Sequence, residues 1–220
     1  MTTTAQEGPT VGTPQIGVLA LQGGVAEHER MISSLGARAR KVRRPADLDQ
    51  LDGLIIPGGE SSVIGRLIDL AGLREALINS ISNGLPTLGT CAGMVLLAEW
   101  IENPAPGQRS LGLLPIEVRR NAFGPQVDSM ELSAGWHWPG EPEGRIRAAA
   151  IRAPEVIAIG AGVEVLIRAS IGGVPRILGV RYENLIALSL HPELTGDPTA
   201  HRALLALAAT VGEPERLPAR

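Results

Sequence analysis

Short apolar runs alternate with helical patterns through the first hundred residues. Ile16–Leu21 is apolar and ends at Gln22-Gly23-Gly24, which predicts a buried strand followed by a turn. From Val25 to Leu35, apolar Val25, Met31, Ile32 and Leu35 recur at helical intervals, and Gly36 stops the pattern. Leu54-Ile55-Ile56 predicts a second buried strand, cut by Pro57-Gly58-Gly59. Helices over Ser62–Leu70 and Leu73–Ser82 follow, then a strand over Leu85–Thr90. The next helix is predicted over Ala92–Ile101, apolar at Met94, Val95, Leu97, Ala98 and Ile101. Repeated strand–turn–helix units predict an α/β fold with a parallel, doubly wound sheet. In such sheets, sites lie beyond the carboxyl ends of the strands. Gln22, Gly58-Gly59-Glu60 and Cys91 all fall there.

The second half changes character. Ile116–Val118, Ser129–Leu132, Ile146–Ile151, Val163–Ile167 and Ile177–Tyr182 are short runs separated by Gly, Pro and Asn. They predict a more antiparallel region that extends the sheet. Leu185–Leu190 is apolar again and delivers His191 at its end. A last helix opens at Asp197 as N-cap with Pro198 in its first turn, and carries Leu204, Leu205, Leu207 and Ala208. No internal repeat or long linker divides the chain, so its 220 residues read as one domain with a substantial core.

Composition narrows the function classes. The net charge of −3 gives no general attraction to nucleic acid or anionic membrane. One Phe, one Tyr and three Trp leave little for base stacking, so the core must be built from Leu, Ile, Val and Ala. No apolar run reaches the ~18–20 residues of a membrane span. Residues 1–14 are rich in Thr, Gly and Pro and lack a signal-peptide pattern, which predicts a disordered leader. A single cysteine cannot form an intramolecular disulfide. Together these features predict a soluble cytoplasmic protein.

That cysteine carries the candidate chemistry. Cys91 stands in Gly89-Thr90-Cys91-Ala92-Gly93, between a predicted strand and a predicted helix, in the G-x-C-x-G spacing of a nucleophile elbow. The flanking glycines remove side chains that would collide at so sharp a bend. The helix dipole beyond favours thiolate. A free cysteine is otherwise commonly a small buried hydrophobe, so the glycine frame and turn position carry the reading. His191-Pro192-Glu193 supplies a base and a carboxylate. If the chain stays extended, His191 and Glu193 face one side, and Pro192 disfavours a helical His191. Histidine would take the thiol proton and return it to a leaving amine, while Glu193 fixes the tautomer. Backbone N–H groups of Pro57-Gly58-Gly59-Glu60-Ser61-Ser62 could receive developing negative charge.

Other features point to less. Arg38, Arg40, Lys41, Arg43 and Arg44 read as a solvated basic face. His28, His137 and His201 share no metal-ligand spacing, so no metal is predicted. No nucleotide fingerprint is present, and no cofactor is predicted. Trp136-His137-Trp138 reads as a loop without a derivable role.

The elbow and His-Pro-Glu resemble those of class I glutamine amidotransferases. Leu21–His28, Pro57–Ser62, Gly89–Met94, Arg120-Asn121-Ala122-Phe123-Gly124, Ile151-Arg152-Ala153-Pro154 and His191–Thr195 resemble, more narrowly, the glutaminase subunits of pyridoxal 5′-phosphate synthases, in unchanged order over residues 15–210. The resemblance implies a single-domain three-layer α/β/α sandwich with a mostly parallel central sheet (flavodoxin-like), occupying residues 15–212, with a tail over 213–220. It implies hydrolysis of L-glutamine to glutamate and ammonia through a γ-glutamyl thioester on Cys91, with His191 and Glu193 completing a triad. By the same likeness Gly59 and Ala92 supply oxyanion N–H groups. Gly59, Glu60, Ser61, Arg120, Ile151 and Arg152 hold glutamine, an arginine suiting its α-carboxylate. Ammonia would pass to a separate (β/α)8-barrel synthase subunit, whose docking activates the glutaminase and to whose surface Glu27 and His28 would belong.

Three departures from the family pattern stand out: Ala150 where an aromatic is common, Ser62 for threonine, and a longer Trp136–Gly144 loop. Two other readings compete: the glutaminase of another pathway, such as imidazole glycerol phosphate synthase, and a catalytically silent regulatory subunit. An intact Cys91, His191 and Glu193 argue against the second.

Overall fold

The strand–turn–helix units of the first half form in the computed structural model, which describes residues 12–122 and 129–211. The units are β1 (Gln15–Leu19), α1 (Val25–Ser34), β2 (Arg38–Val42), β3 (Gly53–Ile56), α2 (Ser61–Leu70), α3 (Arg74–Ser82), β4 (Thr87–Thr90) and α4 (Ala92–Leu97). Most of the predicted leader, the tail over 213–220, and Phe123 and Gly124 lie outside the described residues.

The predicted helix over Ala92–Ile101 is corrected. It stops at Leu97, and Ala98–Glu102 becomes strand β5, parallel to β6 (Leu114–Arg119). Returning chain ends the helix: Leu111 N–H donates to Leu96 O at 2.6 Å and Leu113 N–H to Leu97 O at 3.0 Å. Those carbonyls are satisfied without another helical turn.

The remaining elements are β7 (Ser129–Trp136), β8 (Gly144–Ile151), β9 (Glu155–Ile159), β10 (Glu164–Ile171), β11 (Val174–Tyr182), β12 (Leu185–Leu188), α5 (Pro192–Thr195) and α6 (Thr199–Val211). The main sheet runs β2-β1-β3-β4-β12-β11-β9-β6-β5, with β10 paired to β11. Its first five strands are parallel. The β11, β9 and β6 pairings are antiparallel, and β5 is parallel to β6. The predicted antiparallel extension is therefore present, except that β7 and β8 form a separate two-stranded ribbon. Strand β9 escaped the sequence reading although Val156–Ile159 is an apolar run.

Alternation along the buried strands feeds two cores. Leu54, Ile56 and Ala187 join Ile64, Ile68, Leu77 and Met94 under α2, α3 and α4. On the other face, Ile55, Leu88 and Ile186 join Ile32, Leu204, Leu207 and the β7–β8 ribbon. Helices thus cover both faces, as parallel strands without a polar side require. Asp197 Oδ1 accepts from Thr199 N–H at 2.9 Å, as expected of a helix cap. Trp136 is buried and stacks on Trp138 at 5.8 Å, with the Arg181 guanidinium 4.7 Å from the Trp138 ring. The basic stretch is locally paired: Arg40 donates to Asp49 O, Arg43 to Ala20 O, and Lys41 meets Glu29. No described helix is long and apolar enough to cross a membrane.

Candidate active site

The bend between β4 and α4 holds Cys91 at φ 48°, ψ −101°. A non-glycine residue there costs on the order of 1–3 kcal/mol and persists only when its surroundings enforce it. Here they do. A β-carbon on Gly93 would stand 2.0 Å from Ile56 O, and one on Gly89 would stand 2.8 Å from Gly93 C. The two glycines let the elbow seat directly on the end of β3. Asn121 (φ 49°) and Arg152 (φ 43°) also have positive φ, and both line the cavity above Cys91. Backbone strain therefore gathers at this site as well as at surface turns.

His191 reaches the sulfur from beyond β12. It exchanges two backbone hydrogen bonds with Ala149 of the ribbon, at 2.8 and 3.2 Å. Its Nδ1 bonds Glu193 Oε1 at 2.7 Å. The expectation of an extended His-Pro-Glu is corrected. Pro192 opens the short helix α5, where its missing N–H costs nothing, and His191 is the residue before it at φ −117°. A helical turn, not an extended segment, brings the carboxylate back to the ring.

Burial pulls the His191 pKa down, but hydrogen bonding and electrostatic attraction from Cys91 and Glu193 outweigh it and push it up to about 10. The sulfur and the carboxylate thus favour the protonated imidazole. With Nδ1 committed to Glu193, Nε2 is the nitrogen left to serve Cys91. The six-residue α4 contributes a weaker dipole than the longer helix expected, so His191 is the principal positive group there.

A cavity of about 30 Å³ opens above the sulfur, lined by Gly59, Glu60, Ser61, Cys91, Ala92, Arg120 and Arg152. Every predicted binding residue except Ile151 thus lines it. Ile151 contributes its main chain: its carbonyl oxygen is 4.0 Å from Cys91 Sγ, while its side chain is exposed. The space suits one or two waters rather than an amino acid. Arg120 closes it, with one nitrogen on Glu60 Oε1 at 2.9 Å and the other on Gln108 Oε1 at 2.8 Å. Gln108 in turn donates to Ser61 Oγ at 3.0 Å. Gln22 Oε1 accepts from Glu60 N–H at 2.9 Å and lies over Gly59, where a β-carbon would be 2.4 Å away.

Gln108, in a loop outside every motif, carried no sequence signal of a site, and Asn121 and Thr90 stood only as members of motif segments, without a role. The reading of His28 as surface is corrected. Its ring is fully buried, bonded to His201 Nε2 at 2.9 Å and Thr90 Oγ1 at 3.1 Å. The helical spacing of Val25, His28 and Ile32 could have placed it inward. Glu27 is partly exposed and pairs with Arg30. Among the described residues, no group of three or more His, Cys, Asp or Glu is arranged to hold a metal.

The chain is similar to known proteins. Pyridoxal 5′-phosphate synthase subunit PdxT of Corynebacterium glutamicum (strain R) is 50% identical over 192 residues, covering 87% of this chain and 94% of the relative. The protein of that name from Cutibacterium acnes is 47% identical over 197 residues, covering 87% and 96%. A crystal structure of a glutamine amidotransferase superposes with a TM-score of 0.79 at 42% identity, covering 88% of this chain and 98% of that one. The structure of PurLQS from Thermotoga maritima, 17% identical with a TM-score of 0.65 over 91% of this chain and 100% of that one, shares the fold. The sequence matches the SNO glutamine amidotransferase family over residues 18–206, nearly the whole described chain, and the protein belongs to that family.

Proposed function

We propose that the chain hydrolyses L-glutamine to L-glutamate and ammonia at Cys91 and delivers the ammonia to a (β/α)8-barrel synthase subunit that makes pyridoxal 5′-phosphate. One observation carries the reading. Two groups 100 positions apart, Cys91 and His191, meet beneath a cavity, with the far nitrogen of the imidazole held by Glu193 at 2.7 Å. The relatives' names supply the pathway, and the cytoplasm suits a free thiol used as a nucleophile.

The geometry supports the following chemistry. The Cys91 sulfur attacks the side-chain amide carbon, and the carbonyl electron pair moves to oxygen. Main-chain N–H groups of Gly59 and Ala92 are the donors for that oxyanion; such a donor is worth ~2.7–4 kcal/mol in the transition state. As the intermediate collapses, His191 gives its proton to the departing nitrogen, ammonia leaves, and a γ-glutamyl thioester remains. Neutral His191 then takes a proton from water, whose oxygen attacks the thioester. Glutamate departs and the sulfur regains its proton partner. Glu193 holds the ring through both proton transfers.

Glutamine needs more room than the cavity provides, so Arg120 must exchange its bonds to Glu60 and Gln108 for the substrate's α-carboxylate. Ser61, Arg152 and the Ile151 carbonyl complete the binding surface. The test is ammonia release from glutamine by wild type and Cys91→Ala, each with and without the synthase subunit. Wild type should be active mainly in the complex and the variant inactive in both. Equal rates for the two proteins would end the reading, and absence of stimulation would direct the ammonia to another acceptor.

A further inference from the structure

Behind Glu193 lies a buried polar cluster that the proposed chemistry leaves unused. His28 and His201 are both fully buried. His28 Nδ1 meets His201 Nε2 at 2.9 Å. Its Nε2 meets Thr90 Oγ1 at 3.1 Å and faces Glu193 Oε1 at 3.6 Å. Thr90 Oγ1 also accepts from Gly58 N–H at 3.0 Å. Among the described residues, Glu193 Oε2 and His201 Nδ1 have no hydrogen-bond partner.

These distances select a tautomer. If His28 carried its proton on Nδ1, its bare Nε2 lone pair would face the carboxylate. His201 would then keep an N–H on its partnerless Nδ1, and a buried donor without an acceptor is costly. With the proton on Nε2, His201 Nε2–H donates to His28 Nδ1 and an N–H dipole faces the Glu193 carboxylate; Thr90 Oγ1 can pair with Nε2 in either form, so the carboxylate 3.6 Å away and the His201 Nδ1 without a partner decide for this one.

We propose that His28 is a positioning residue: clamped by His201, it holds its Nε2–H against Thr90 and toward Glu193, fixing the hydroxyl that anchors Gly58 by a hydrogen bond and the carboxylate that orients His191 by charge–dipole attraction across 3.6 Å. Helices α1 and α6, far from each other in sequence, thereby set the angle of the imidazole. The proposal rests on the Cys91–His191–Glu193 reading.

The test uses the full chain in complex with its synthase subunit. Gln reproduces the Nε2 donor of histidine, Asn only the Nδ1 position, and Phe the shape alone. His28→Gln should keep kcat within about fivefold, whereas His28→Asn and His28→Phe should lose about 10- to 100-fold with KM within about threefold. Equal kcat for Gln and Asn, or a rise in KM alone, would overturn the proposal. Should Asn or Phe fail to fold, nitrogen-15 NMR of the histidine-labelled wild-type chain decides: a neutral His28 protonated on Nε2 supports it, and one protonated on Nδ1 sinks it. Cys91→Ala assayed alongside separates the two failures. An active Cys91→Ala defeats the underlying chemistry, while an inactive one with a flat His28 series defeats only the positioning role.

Discussion

A β-carbon on Gly58 would stand 2.2 Å from Cε1 of His191, so the imidazole lies directly on the backbone of that turn. Gly58 needs no positive φ, and the steric demand is therefore for space alone. In Gly58→Ala the ring must move away from Cys91. Glutamine hydrolysis should fall about 100-fold or more, while the thermal midpoint shifts little, because the added methyl displaces a ring and leaves the core packing alone. Parallel assays and melting curves check this; a fully active variant would show that the ring has slack.

Gly93 should behave in the opposite proportion. Its missing β-carbon admits the Ile56 carbonyl, a backbone atom that cannot rotate aside. Gly93→Ala should lose about 3 kcal/mol or more in urea unfolding, and activity should follow the loss of fold.

The His191 ion pair predicts a titration. Its pKa of about 10 depends on Cys91 and Glu193 offsetting burial. Removing either partner, in Cys91→Ala or Glu193→Gln, should lower that value, since the desolvation then acts against a smaller opposing charge. Histidine NMR across pH reads the shift directly. An unchanged midpoint in both variants would contradict the pairing.

Stability should decline on the acid side for a separate reason. Burial is the leading cause that lowers both His28 and His201 from 6.5 to about 4. Between those values the unfolded chain binds protons that the folded chain refuses. The stabilisation is therefore complete above about pH 6.5 and is lost as pH falls through 4, on the order of several kcal/mol for the two together. Urea midpoints measured from pH 7 down to 4 should fall steadily.

Arg120 bridges Glu60 and Gln108 across the cavity mouth. Arg120→Ala should raise KM for glutamine about 10- to 100-fold with a smaller change in kcat, and Arg120→Lys should restore only part of it, because a point charge cannot grip a carboxylate at two oxygens. Steady-state kinetics in the complex separate these outcomes.

Sequence reasoning found what local chemistry marks. Glycines around Cys91 announce a tight bend, and apolar runs before Pro57, Cys91 and His191 place those residues at strand ends. Features decided by distant partners were not legible. Helix α4 is shortened by Leu111 and Leu113 capturing its carbonyls, a pairing no window of sequence contains. The α5 turn forms although a strand-like His-Pro-Glu was equally compatible with Pro192. His28 carried a helical periodicity that pointed inward, yet only His201 and Thr90, distant in the chain, give a histidine reason to be there.

The seat of β12 between β4 and β11 has a consequence for biosynthesis. Residues 185–188 close an edge that β4 leaves open from the moment it folds. A nascent chain emerging from the ribosome therefore carries its sulfur for about another hundred residues before the imidazole of His191 arrives to activate it. An interrupted translation product would be inert toward amides, with a bare strand edge exposed to the chaperones that patrol unfinished sheets.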